Sequence, residues 1–136
     1  FASKYPAKLA VKILFDSSLA HRIYASADML LMPSQFEPCG LAQMIAMRYS
    51  TVPIVRETGG LKDTVIPYNE ETGEGNGFSF ANYNAHELLF TIRRALKVYR
   101  EDKATWKGIT ESGRKMDFSW SASARSYMEL YEGLAE

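Results

Sequence analysis

The residues with the clearest chemical potential sit in two short stretches. The first is Ser34-Gln35-Phe36-Glu37-Pro38-Cys39-Gly40-Leu41, which follows an apolar run and opens a helical pattern. The first backbone N–H groups of a helix lack intrahelical acceptors, and with the helix dipole they favour an anion or an array of sugar oxygens. The spacing assigns these donors to Cys39, Gly40 and Leu41, and Gly40 lets a ligand approach the backbone closely. Glu37 stands just ahead of them. A carboxylate there either caps the helix and balances its dipole, or accepts bonds from vicinal hydroxyls and stabilises developing positive charge. Spacing alone leaves both readings open. The second stretch is Thr58-Gly59-Gly60, where two glycines either make a plain tight turn or present N–H groups to a phosphate.

Three other residues invite attention. Phe15 closes an apolar run and either joins the core or stacks on a base. His21 and Cys39 fit no metal-ligand spacing, and His86 lies far along the chain, so packing or local hydrogen bonding accounts for both; no metal site is expected. There is no Gly-x-Gly-x-x-Gly and no P-loop, which sets aside the usual dinucleotide and NTPase fingerprints.

These loops need elements to hold them. Val11 to Phe15 reads as a strand, with Ser17 as the N-cap of a helix over Ser18 to Ala27. Met29 to Met32 reads as a strand buried on both faces. A helix follows, with Pro38 in its first turn and an apolar stripe of Leu41, Met44, Ile45 and Tyr49. Thr51 to Val55 is a third strand despite its internal Pro53, and Gly77 to Phe80 a fourth. The stretch from Pro67 to Gly77 reads as a mobile surface loop. Asn84 to Arg100 is the clearest helix, with Asn84 and Glu87 spaced as a capping box. Helices over Ala104 to Met116 and Ala122 to Leu134 complete the chain, the last with a core stripe of Ala124, Tyr127, Met128, Tyr131 and Leu134. Strands alternating with helices imply an α/β fold, a partial Rossmann-like parallel sheet with helices on both faces. Such sheets bind ligands at the carboxyl ends of their strands.

Composition narrows the partners. The chain has 136 residues, enough for one domain. Sixteen basic residues balance sixteen acidic ones, which disfavours nucleic acid and electrostatic membrane anchoring alike. No apolar run approaches the roughly 20 residues needed to span a bilayer, and no signal-peptide pattern opens the chain. The single cysteine fits a reducing, cytoplasmic compartment. Residue 1 is Phe rather than Met, which predicts a piece of a longer protein.

The run SQFEPCGLAQMIAMRYSTVPIVRETGGLKDTV closely resembles the pattern of bacterial glycogen synthases and plant starch synthases. AHRIYASADMLLMPS before it fits that pattern, as do NEETGEGNGFSFANY and Phe118-Ser119-Trp120 after it, so the resemblance covers essentially the whole chain. It implies the C-terminal domain, residues 1–136, of a two-domain B-type glycosyltransferase, incomplete at its N-terminus and lacking the N-terminal catalytic domain. The implied activity is retaining transfer of glucose from ADP-glucose, with UDP-glucose less favoured, to the non-reducing end of an α-1,4-glucan held by the missing domain. By the same resemblance Glu37 faces the donor glucose. Cys39, Gly40 and Leu41 offer N–H groups to sugar or phosphate, Thr58, Gly59 and Gly60 line the pocket, and Phe15 stacks on adenine. Ala42 departs from the threonine common in the family, and Ile45 stands where related glycosyltransferases carry a second glutamate. No cofactor is implied, and the location is cytoplasmic, or plastidial if the source is a plant. The rivals are a stand-alone nucleotide- or sugar-binding module without turnover and a sugar-nucleotide epimerase of the same architecture.

Overall fold

The computed structural model of the chain describes residues 1–134. Three short strands, β1 (Met29–Met32), β2 (Val52–Arg56) and β3 (Phe78–Phe80), form a parallel sheet in the order β1-β2-β3. Met29 pairs with Val52 and Ile54 with Phe78. Strand side chains alternate between faces. Val52 and Ile54 of β2 therefore share one face with Phe78, and there they pack on Ala95, Trp106 and Ile109. Those three belong to α4 (Ala85–Glu101) and α5 (Lys103–Lys115). Val55 turns the other way, onto Leu61 and Val65 beside α3 (Gly59–Thr64). The parallel sheet is thus covered on both faces, as the alternation of strands and helices predicts. Full burial of a side chain such as Phe78 contributes about 1.5–3 kcal/mol.

Pro53 sits in the central strand without cost to the ladder. The N–H of Val52 donates to Asp28 on the β1 side at 3.0 Å, so the neighbouring nitrogen of Pro53 faces β3. Pairing with β3 begins only at Ile54, so no ladder bond is missing.

Helix α1 (Ser17–Ser26) is capped by Asp16 rather than Ser17: the Asp16 carboxylate accepts from the Leu19 N–H at 2.9 Å. Its C-terminal end is tied to the sheet because the Thr51 hydroxyl meets the Ala27 carbonyl at 2.8 Å. Several expectations fail here. Val11 to Phe15 is not a strand; no neighbour pairs with it among the described residues, and Ile13 is 96% exposed. β1 is an edge strand, half-buried rather than buried on both faces, with Leu31 exposed. The stretch from Pro67 to Gly77 is pinned rather than loose. Pro67 and Gly77 form a bridge, Tyr68 is buried, and the buried Asn76 side chain joins Ile66 N–H and Thr64 C=O at 2.8 and 3.1 Å. The stripe on α6 (Trp120–Leu134) is not core: Tyr127, Met128, Tyr131 and Leu134 are all exposed.

Candidate functional site

Between β1 and α2 (Ala42–Arg48) the chain makes the loop that carries Glu37. Gly40 has φ +72, a left-handed conformation that interrupts a right-handed helix. The helix therefore starts at Ala42 with Leu41 as its cap, and Pro38 lies ahead of it, not in its first turn. The N–H groups of Cys39, Gly40 and Leu41 belong to the loop rather than to the helix. None of the three finds an acceptor among the described residues. Their direction follows from peptide geometry, because a trans peptide points its C=O and the next N–H to opposite sides. The carbonyls of Cys39 and Gly40 turn inward to the Gln43 side-chain amide at 3.3 and 2.7 Å, so the N–H groups of Gly40 and Leu41 turn outward. The buried face of α2 is Gln43, Ala46 and Met47, one step round from the expected stripe. Leu41, Met44 and Ile45 instead line a hollow of about 630 Å³ with Met116 and Phe118.

The second loop leaves β2 at Arg56. Thr58 is the N-cap of α3 in extended backbone, and its hydroxyl makes no capping bond. Gly59 has φ +44. A Cβ on Gly59 would lie 2.0 Å from the Glu37 carbonyl oxygen, and one on Gly60 would lie 1.9 Å from that of Cys39. Two adjacent glycines are what lets this turn press its backbone against the first loop. The Gly60 N–H donates to the Pro38 carbonyl at 3.3 Å. Of the two glycine donors, only that of Gly59 lacks an acceptor among the described residues.

Glu37 is half-buried between these loops, and its carboxylate accepts from Ser34 Oγ at 3.5 Å. No N–H of α2 or α3 reaches it, so it does not cap a helix. Cys39 and Leu41 are exposed. The structure thus brings Glu37, Cys39, Gly40, Leu41, Thr58, Gly59 and Gly60 to one place at the carboxyl ends of β1 and β2. Phe15 is not among them. It is fully exposed and packs on nothing among the described residues, so it is not part of this segment's core. His21 pairs with the Tyr49 hydroxyl at 3.3 Å, and no group of three or more His, Cys, Asp or Glu residues is placed to hold a metal among the described residues.

Sequence reasoning missed the residues that support the loops. Arg56 donates to the Gln35 carbonyl at 2.7 Å, and its guanidinium lies 5.8 Å from the centre of the Tyr83 ring. Gln43 is fully buried, and Thr64 bonds to it at 3.1 Å. A signal for Gln43 was present: a polar residue three and four positions before Ala46 and Met47 lies on their helix face.

Similar proteins share this arrangement of segments. The family model of glycosyl transferases group 1 matches residues 1–113. The chain is 59% identical, over 98% of its length and 29% of the relative, to a glycogen synthase of Desulfitobacterium hafniense. It is 54% identical, over its whole length and 28% of the relative, to one of Clostridioides difficile. The chain therefore spans less than a third of the length of these relatives. Among solved structures it resembles the catalytic domain of starch synthase IV from Arabidopsis thaliana bound to ADP and acarbose. The TM-score is 0.82 at 39% identity, covering 96% of this chain and 27% of that one. A sucrose-phosphate synthase from Thermosynechococcus elongatus aligns with TM-score 0.66 at 27% identity, over 98% of this chain and 32% of that one. With five-sixths of its residues under that family model and two touching strand-end loops at its centre, this chain belongs to the glycosyl transferases group 1.

Proposed function

We propose that this chain is the donor-binding part of a glycogen (starch) synthase, and that the full-length protein transfers glucose from ADP-glucose to the non-reducing end of an α-1,4-glucan with retention. In this reading residues 1–136 form the C-terminal domain of a two-domain B-type enzyme that works in the cytoplasm. The glucan is held by the other domain. The observation that carries the reading is the meeting of two loops, backbone to backbone, around Glu37, with free N–H groups on Gly40, Leu41 and Gly59. The identity to glycogen synthases and the ADP and acarbose bound by the structural neighbour support both ligands.

The chemistry follows from those groups. The bond between glucose C1 and the nucleoside diphosphate breaks, and the electron pair leaves on the phosphate oxygen. The acceptor 4-hydroxyl oxygen bonds to C1 and gives up its proton to the departing diphosphate oxygen. Fixed N–H donors stabilise the negative charge on the departing diphosphate without reorganising. The Glu37 carboxylate stabilises the oxocarbenium-like sugar between bond breaking and bond making. Phe15 stacks on the base.

The test is to incubate the full-length protein with ADP-glucose or UDP-glucose and glycogen, and to assay the released nucleoside diphosphate. The reading expects transfer, faster from ADP-glucose, and none from residues 1–136 alone. A full-length protein that hydrolyses or epimerises the donor, or residues 1–136 alone turning the donor over, contradicts it.

A further inference from the structure

We infer that Gln43 and Thr64 form a clasp that locks the two donor loops into one site, making them positioning residues for donor binding; this rests on the reading above. Gln43 is fully buried, and its side-chain nitrogen faces three acceptors: Gly40 O at 2.7 Å, Cys39 O at 3.3 Å and Thr64 Oγ1 at 3.1 Å. The Thr64 hydroxyl spends its own proton on the Gly60 carbonyl at 2.6 Å, so it can only accept from Gln43. One continuous relay therefore runs from the Gly40 carbonyl through Gln43 and Thr64 to the Gly60 carbonyl. It joins the Glu37 loop to the Thr58-Gly59-Gly60 turn from beneath, on the side away from the free N–H groups.

Two further details separate this from ordinary core packing. The amide orientation is fixed, because turning it over would set its oxygen against two carbonyls. The oxygen, Oε1, is buried without a partner among the described residues, and burying an unpaired polar atom costs stability. A leucine would fill the space, but the Cys39 and Gly40 carbonyls would then stay inward without a donor or have to turn outward. The amide does what leucine cannot: it draws two carbonyls inward and thereby faces the N–H groups of Gly40 and Leu41 outward.

The experiment uses the full-length protein with Gln43→Leu, Thr64→Val and Thr64→Ser. Donor and glycogen KM, kcat and backbone hydrogen exchange are measured for each. Gln43→Leu should raise the KM for ADP-glucose about tenfold, the equivalent of roughly one lost hydrogen bond, with the KM for glycogen unchanged. The Gly60 amide, bonded to Pro38 across the two loops, should exchange faster in the same variant. Thr64→Val should shift both readouts the same way, and Thr64→Ser should return them toward wild type. An active Gln43→Leu with unaltered donor KM, or with only less active protein at the same KM, overturns the clasp as a positioning device and leaves the glucosyltransferase reading standing. A wild-type protein that transfers glucose from neither donor overturns that reading, and with it the donor role of the clasp.

Discussion

Replacing Gly60 with alanine sets two effects of opposite sign against each other. Gly60 lies in the first turn of α3, outside the left-handed region, so alanine meets no backbone strain there. Helix propensity alone favours the alanine by about 1 kcal/mol. Against that, its Cβ would lie 1.9 Å from the Cys39 carbonyl oxygen, 2.6 Å from the carbonyl carbon and 2.8 Å from the Cα. All three atoms are backbone, so no rotamer change relieves the contact. Ordinary contact begins at 3.4 Å, so the loops must part by roughly 1.5 Å, in the range where overpacking costs about 1–3 kcal/mol. Parting them also stretches the Gly60–Pro38 hydrogen bond, worth about 1 kcal/mol. The net expectation is destabilisation by about 1–3 kcal/mol, together with a raised donor KM. Gly108 supplies the control: it lies in α5, and nothing stands within 4 Å of where its Cβ would be, so Gly108→Ala should stabilise by about 0.5–1 kcal/mol. The assay is the urea midpoint of the full-length protein in both variants, with donor kinetics on each. If Gly60→Ala stabilised as much as Gly108→Ala and bound donor normally, the close approach of the loops would be refuted.

Ser50 follows α2 with φ +67, and the N–H groups of Ser50 and Thr51 bond back to Met47 and Ala46 in a Schellman arrangement. Ser50→Gly should raise stability by about 0.5–1 kcal/mol, read as an upward shift in the urea midpoint, because a non-glycine residue is strained there. Phe15→Ala should weaken donor binding by about 1–3 kcal/mol, the range for base stacking, with thermal stability unchanged because the ring is fully exposed; a lowered melting temperature with intact donor KM would contradict stacking. The Glu87 carboxyl is held below its ordinary range, chiefly by the Asn82 side-chain amide and then by the Asn82 N–H. A depressed carboxyl contributes stability above its unfolded pKa and loses it as pH falls through the folded value. The advantage of wild type over Glu87→Gln in thermal midpoint should therefore shrink from about pH 7 to about pH 3, and a pH-independent gap would refute the assignment.

Much of this was legible in the chain. The runs at Met29–Met32 and Thr51 to Val55 marked strands, the second within a residue of the observed Val52–Arg56, and the spacing of Leu88, Ile92, Ala95 and Tyr99 marked α4. Even its cap was half right. Asn84 accepts from the Glu87 N–H at 2.9 Å, but the Glu87 carboxylate reaches back to the Asn82 N–H at 2.8 Å rather than to that of Asn84. Local patterning failed where tertiary partners decide. Val11 to Phe15 has the composition of a strand, yet a strand needs a neighbour to pair with, and composition does not name one. The stripe on α6 says that a face is apolar, not what covers it. The start of α2 was misplaced because the chain makes a left-handed turn at Gly40, closed by contacts from the Gln43 side chain that no spacing rule contains. The two strand-end loops were nonetheless legible, since glycines and a carboxylate at such ends advertise themselves by type; Phe15 lies apart from them, and their supports were not legible.

The most direct test of the account is Glu37→Ala in the full-length protein, with kcat and donor KM measured for glucose transfer to glycogen. Glu37 caps no helix, and its carboxylate accepts only from Ser34 Oγ among the described residues, so removing it leaves no helix end exposed. A carboxylate that acts mainly on the transition state is recognised by a fall in kcat with little change in KM. The account predicts a loss in kcat on the order of a thousandfold, with donor KM nearly unchanged. Near wild-type kcat in the variant would contradict it.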